Sequence, residues 1–474
     1  MTFLLSIDVG TSGVRVALFD ERGAPVPGAQ TRNRRAFTNL SNFAELDADQ
    51  IVAEVIQAID ELLANSPGPI DLIAISAFWH SLIGVDAAGL PTTPLLTWAD
   101  TRAARFAKQL SEDFNEREIH ARTGCRFHPS YWPAKLQWLR HEHHEKFLNT
   151  RCWLGFAEYL CLRLFGEHAT SISMASATGL FNQRKCDWDW DFVRDLGISY
   201  DTLPEIRSQI DVSVSDSRWP ALAEARVITI VGDGAANNIG AGCSTKDRIA
   251  LMIGTSGAMR VVFAGEPPVD LAPALWSYRV NRERVVVGGA LSDGGGLVQW
   301  MAESLKFDQT ELVALEPDAH GLTVLPFWSG ERSTGWSSDA RGGIFGLRQK
   351  TTPVEIMRAT LEAIAYRFAL IARALDQVAP HATIFASGNA LRSSPVWLQI
   401  IADVLGRPLL FGGAAEASIR GAALLALEAV GKIGTIEEES IAIEQVFEPD
   451  LKRHARYQQG LARQEELYKR LYDF

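Results

Sequence analysis

Residues 3–19 read FLLSIDVGTSGVRVALF, and residues 249–263 read IALMIGTSGAMRVVF. Each stretch is an apolar strand, the tetrapeptide GTSG and a second strand rich in Val. The tetrapeptides start at Gly10 and Gly254, 244 residues apart and just over half of the 474-residue chain. A single long-period repeat implies one domain duplicated, not a solenoid of many short units. Strand, glycine turn and strand make a β-hairpin, and glycine lets such a turn take positive φ. Gly, Thr and Ser also expose backbone N–H groups and hydroxyls with no bulk above them. Two such turns facing across a cleft would hold a polyphosphate from both sides. The plain alternative is a pair of ordinary hairpin turns. The matching strands and the half-chain offset argue against coincidence.

Outward from the repeat, the chain reads as α/β. Residues 49–64 carry Ile51, Val52, Val55, Ile56, Ile59, Leu62 and Leu63 at helical spacing. A helix over 353–378 opens with Thr352-Pro353-Val354-Glu355: an N-cap, Pro at the first position and a capping-box Glu. Another over 395–405 starts after Ser394 and stops at Gly406. Strands near 70–77 and 226–232 are rich in Ile and Val. Alternating strands and helices predict an α/β architecture in each half. No low-complexity linker marks the boundary, so its place near residue 245 comes from the repeat.

Composition narrows the function. The chain has 46 Lys and Arg against 57 Asp and Glu, a net charge of −11. Nucleic-acid binding needs a basic face and is disfavoured. A local nest of backbone donors can still hold a phosphate in an acidic protein. Five cysteines with no CxxC pair argue against a disulfide framework or zinc finger and for reduced thiols in a cytoplasm. The N-terminus reads as a strand, not a signal peptide. No uncharged 18-residue apolar run is present, so no membrane span is expected. There is no GxxxxGK[ST]. The run Gly294–Gly296 lacks GxGxxG spacing, which leaves an oxidoreductase weakly supported.

Two stretches resemble the FGGY carbohydrate kinases, and the likeness runs over nearly the whole chain. Gly342-x-Ile344-x-Gly346-Leu347, seven residues, then Glu355-Ile356-x-x-Ala359-Thr360-Leu361-Glu362 fits the family's C-terminal signature at every fixed position. Lys135-Leu136-Gln137-Trp138-Leu139 fits the core of the N-terminal one. The resemblance implies two actin-like, ribonuclease H-like domains, 1–245 and 246–474, with the active site in the cleft between them. It implies transfer of the γ-phosphoryl of ATP to a sugar hydroxyl, with Mg²⁺. By motif, Asp8, Gly10, Thr11, Ser12 and Arg15 form the first phosphate loop, with Asp8 near the metal. Gly254 and Thr255 form the second, and Gly388 and Asn389 lie on the adenine side.

The general base implied is Asp233, in the stretch VGDGAANNIGAG over 231–242. A sugar hydroxyl is a poor nucleophile, and a carboxylate in hydrogen-bond reach orients it and takes its proton. The competing reading is a helix N-cap, where Asp is favoured. Trp79 and His80, after a strand, and Trp98 and Asp100, in Trp98-Ala99-Asp100-Thr101-Arg102, occupy the family's sugar-contacting positions. As a set they read as a polyol pocket of apolar faces and convergent polar groups. His80-Ser81-Leu82-Ile83-Gly84-Val85-Asp86 and Ala177-Thr178-Gly179-Leu180-Phe181-Asn182 resemble gluconate kinases of the family more than xylulose kinases, the second choice. Gluconate needs a cation, for which Arg126, His128 and Lys135 are candidates. An actin-like ATPase with no sugar acceptor is the alternative from another class. The partners implied are a small sugar or sugar acid and, optionally, a second copy in a homodimer, with no nucleic acid or membrane. The run His141-Glu142-His143-His144-Glu145 reads as a solvated helix surface, not a metal site.

Overall fold

The computed structural model describes residues 3–35, 43–64, 68–207, 211–214, 218–413 and 416–472. Strand β1 (Leu4–Gly10) is buried on both faces because it lies mid-sheet with helices on either side. With β2 (Gly13–Phe19), β3 (Pro25–Arg34), β4 (Leu72–Ala77), β5 (Val212–Ser213) and β6 (Arg226–Gly232) it forms a sheet ordered β3-β2-β1-β4-β6-β5. The second sheet contains β7 (Arg248–Ile253), β8 (Gly257–Ala264), β9 (Trp276–Arg279), β10 (Arg284–Leu291), β11 (Thr383–Ser387), β12 (Leu409–Gly412) and β13 (Ile443–Phe447). Its order is β9-β10-β8-β7-β11-β12-β13.

Five strands of each sheet correspond one to one, in place and in chain order. The hairpins β1/β2 and β7/β8 are antiparallel. The runs β1/β4/β6 and β7/β11/β12 are parallel. One flank also repeats, the antiparallel β2/β3 answering β8/β10. At the other, β5 and β13 add antiparallel to β6 and β12, but β5 precedes its neighbour in the chain and β13 follows it. Strand β9 is an addition at one edge. The duplication read from two tetrapeptides is thus a duplication of a five-stranded sheet, the actin-like arrangement expected. The turns differ in detail. Gly10 pairs with Gly13, leaving Thr11 and Ser12 as a two-residue turn. In the second copy Ile253 pairs with Gly257, and the Gly254 N–H donates to the Ser256 carbonyl at 2.9 Å.

The helices follow their sequence signals. Helix α1 (Ala48–Leu63) buries Ile51, Val52, Val55, Ile59 and Leu62. Two more matter for the site: α2 (Trp132–Glu142) and α3 (Asp233–Gly240). Helix α4 (Pro353–Leu375) opens with the expected capping box of Thr352 and Glu355. It ends three residues short of the expectation, in the turn before Pro380. Helix α5 (Pro395–Leu405) closes on Gly406 at φ 63°.

Helix α6 (Ala417–Ala429) belongs to the second half of the sequence but not to its core. Its Ile419, Ala422, Ala423 and Leu424–Leu427 join the cluster built on β1, β2, β4 and β6. It crosses α3 with backbones almost touching. A Cβ on Gly240 would lie 1.8 Å from the Ala417 carbonyl, and one on Gly421 1.9 Å from that of Ala236. Glycine on both helices is what permits the approach. All five thiols are free, and no helix among the described residues is long and apolar enough to cross a membrane.

Candidate active site

The two glycine turns open on one cleft of about 1500 Å³. That exceeds the roughly 300–1,000 Å³ of a single small-ligand pocket and has room for two ligands side by side. Asp8, Gly10, Thr11, Ser12 and Arg15 line it from the first half, and Gly254, Thr255, Gly388 and Asn389 from the second. Trp79, His80, Trp98 and Asp233 line it too. Asp100 does not reach this wall.

At the turn end, the run Gly294–Gly296 braces the second tetrapeptide. The N–H groups of Gly294 and Gly296 donate to the Thr255 carbonyl at 3.1 and 2.9 Å, and that of Gly295 to the Gly254 carbonyl at 2.8 Å. A run that fails as a dinucleotide fingerprint is therefore a support for the loop. Asp8 accepts from Ser76 Oγ and from Arg15, each at 2.8 Å. Arg15 also pairs with Glu416 at 2.6 Å. Burial pushes the Asp8 carboxyl above its ordinary pKa, against the pull of Arg15.

Asp233 is the first residue of α3, where β6 ends. The cap position belongs to Gly232, so the capping role is not the one Asp233 fills. Its carboxylate accepts the neighbouring Gly234 N–H at 2.8 Å. Burial raises its pKa to about 6, with Asp8 adding to the rise and Arg260 opposing it. The Gly-Asp-Gly word has a steric cause. A Cβ at 232 would lie 1.8 Å from the Trp79 indole, and one at 234 would lie 2.5 Å from it. The indole lies over the strand end that presents the acid.

On the sugar side, His80 sits at φ 66°, and its Nδ1 lies 2.7 Å from the Ala177 carbonyl. Burial lowers its pKa to about 3. The ring is neutral, Nδ1 donates, and Nε2 is left as an acceptor. Tyr131 and Tyr278 stand edge-on to it at 4.9 and 5.5 Å, and their hydroxyls meet at 2.6 Å. The expectation for Asp100 needs correction. Its carboxylate turns back to accept from Arg102 and from the Ala44 N–H, so it anchors the loop from behind.

Two of the three proposed carboxylate partners are also committed elsewhere. Arg126 pairs with Glu116 and the Pro273 carbonyl. Lys135 donates to the carbonyls of His80, Thr97 and Ser130 at 2.6, 2.9 and 2.8 Å. Burial lowers its pKa to about 7, yet three acceptors need all three ammonium protons. His128 does line the cleft, but burial and Arg332 lower its pKa to about 3, so it carries no charge. Beyond Arg15, Arg32 and Arg392, the cleft is lined by Arg260 and Arg332, from the second half, near Asp233 and Trp98. Sequence reading missed both, because nothing local distinguishes them from other arginines.

Lys135 ties three sugar-side loops to α2. Lys135→Met should leave three buried carbonyls unmet, each costing about 1–3 kcal/mol unless water replaces the ammonium. Steady-state kinetics should show the KM for the acceptor rising about tenfold or more, with the KM for ATP little changed.

The side chains of the histidine run do not converge on a common point. His141 stacks on Phe106, His143 stands edge-on to Trp138, and the helix breaks at His143. Asp318, His320 and Glu362 do converge, away from the cleft. There Arg358 and Arg463 neutralise Glu362 and Asp318.

Comparison with known proteins agrees with this geometry. Residues 3–240 match the N-terminal domain, and residues 249–430 the C-terminal domain, of the FGGY family of carbohydrate kinases. Gluconokinase of Bacillus subtilis (strain 168) is 29% identical over 463 residues, covering 93% of this chain and 90% of its own length. Glycerol kinase of Citrifermentans bemidjiense is 30% identical, covering 96% of each. Solved structures of a xylulose kinase and a gluconate kinase from Lactobacillus acidophilus superpose with TM-scores of 0.90 and 0.89. Both are 26% identical and cover 99% of this chain and 98% of theirs. With two sheets equivalent over five strands, glycine turns facing one cleft and both family domains matched in order, the chain belongs to the FGGY family of carbohydrate kinases.

Proposed function

We propose that the chain moves the γ-phosphoryl group of ATP onto a hydroxyl of a small sugar acid, D-gluconate before any other, with Asp233 as general base. The carboxylate at 233 carries the reading. It faces the cleft that holds both glycine turns and the aromatic wall, and its pKa is raised to about 6. That is close enough to neutral for a useful base, and still ionised at pH 7. The acceptor hydroxyl gives its proton to Asp233 while its oxygen bonds to phosphorus. The bond from phosphorus to the bridging oxygen breaks, and ADP leaves. Neutral His80 accepts from a second hydroxyl and orients the sugar. The turn N–H groups hold the phosphates.

Asp8 suits Mg²⁺. Each of its oxygens accepts one bond and can take another. A second carboxylate, Asp233, is close enough to feel its charge. Mg²⁺ is commonly held by one or two carboxylates plus phosphate and water. When bound with ATP it offsets charge on the phosphate oxygens, and Asp8 would hold it. Five unpaired thiols fit a reducing compartment such as the cytoplasm.

Gluconate is favoured by the local words around His80 and Ala177 and by the gluconokinase relatives. The test is ADP release from Mg-ATP across D-gluconate, other aldonic acids, D-xylulose and glycerol. D-gluconate should raise turnover over the acceptor-free rate by on the order of 10²-fold or more. Stimulation by D-xylulose or glycerol alone would remove the sugar-acid reading. Equal turnover without any acceptor would leave an ATPase.

A further inference from the structure

Two arginines in the cleft form no direct ion pair among the described residues. Arg260 lies on β8, three residues past the second glycine turn, and Arg332 lies on the segment that follows Ser329. The Nε and one terminal nitrogen of Arg260, and the Nε of Arg332, are shielded from solvent and lack a hydrogen-bond partner among the described residues. Such donors are costly to leave unmet, and more so when charged. Burial lowers Arg260 to about 10, with Asp233 opposing the fall and Arg332 adding to it by repulsion. Burial lowers Arg332 as well. Asp233 offsets part of the charge of both, and Asp293 part of that of Arg332, but neither hydrogen-bonds to the orphan donors.

Their surroundings place them at the sugar end. The Arg332 guanidinium stacks over Trp98 at 4.7 Å and donates to the Leu291 carbonyl at 3.1 Å. Its charge acts on His80 and His128 on the sugar side, and also on Asp293. Arg260 packs against Gly234: a Cβ there would lie 3.1 Å from its Nε. A guanidinium presents a planar fork that matches a carboxylate with two parallel hydrogen bonds. One carboxylate between the two arginines would meet the orphan donors and end the repulsion together.

We propose that Arg260 and Arg332 seat the carboxylate of the substrate, which makes the cleft selective for aldonic acids over neutral ketoses and polyols. The proposal rests on the sugar-acid kinase reading and assigns the residues that enforce it. A neutral acceptor leaves both guanidinium groups unpaired, and a site built around a polar group rejects an analogue that lacks it.

The test compares D-gluconate with D-gluconamide, the same carbon chain carrying a neutral amide, in wild type, Arg260→Met, Arg332→Met and the charge-retaining Arg260→Lys and Arg332→Lys. Wild type should favour gluconate in kcat/KM by on the order of 10²-fold or more. Each Met variant should raise the KM for gluconate by roughly 10–100-fold and bring the preference toward unity. The Lys variants should keep part of the preference, which separates loss of charge from loss of fold. Equal loss on both acceptors with a raised KM for ATP would overturn the proposal and assign the arginines to the γ-phosphate. Equal use of both acceptors by the wild type would overturn it as well. Failure of wild type on every sugar acid is a separate result, read without any variant, and would sink the underlying reading.

Discussion

Asp233→Asn should lower kcat by about 10²–10⁴-fold, the range for removing a positioned general base. Asn keeps the shape and can still accept a bond from the Gly234 N–H, so the end of α3 should survive. What it loses is the capacity to take a proton. The KM for ATP should move little, because the glycine turns come from other strands. The wild-type pH profile should carry the same signature. A base acts in its deprotonated form, so activity is full above its pKa and lost below it. With Asp233 raised to about 6, kcat/KM should fall tenfold per pH unit below about pH 6. An ordinary carboxyl would put that limb near pH 4. Full activity of the Asn variant, or an acid limb near pH 4, would mean that another group accepts the proton.

The second large effect is expected at the crossing of α3 and α6. Gly421→Val places a branched side chain where the first carbon alone would lie 1.9 Å from the Ala236 carbonyl. Backbone cannot give as a side-chain tip can, so the helices must part. Overpacking of this kind costs about 1–3 kcal/mol and sometimes more. Urea unfolding should show a lower midpoint. Because α3 begins with Asp233, kcat should fall even though residue 421 touches no ligand. Small misplacements of a catalytic group can cost about 10²-fold. An unchanged midpoint together with unchanged kcat would show that the two helices are not held in this contact.

Much of this was legible in the sequence because local signals and global structure agree. The capping box at Thr352, the glycine stop at 406 and the helical spacing of residues 49–64 each act over a few residues. The repeated hairpins were legible because a glycine turn between two apolar strands has few other outcomes. Asp233 stood out because its flanking glycines have a local cause, the Trp79 indole across the strand end.

Other parts depend on partners far away in sequence. Asp100 looked like a site residue by position, but Arg102 and Ala44 claim its carboxylate. Lys135 looked like a free cation, but three carbonyls from three separate loops surround it. Arg260 and Arg332 looked like nothing in particular. Their interest arises only when two segments from the second half meet a wall built by the first. The C-terminal signature was a good guide to family and a poor one to chemistry: Glu362, its last residue, is bound by Arg358 and His320 in a cluster apart from the cleft.

Helix α6 also sets a timetable for synthesis. The first sheet lacks part of its apolar cover until Ala429 has been made, roughly 190 residues after Gly240. At about 5–20 residues per second, that is a wait of roughly 10–40 s on the ribosome. During that interval the nascent N-terminal half displays greasy surface to its neighbours. Cells that make this enzyme must therefore shelter an unfinished half-molecule, and a gene cut at the midpoint would yield a first piece that never acquires its own lid.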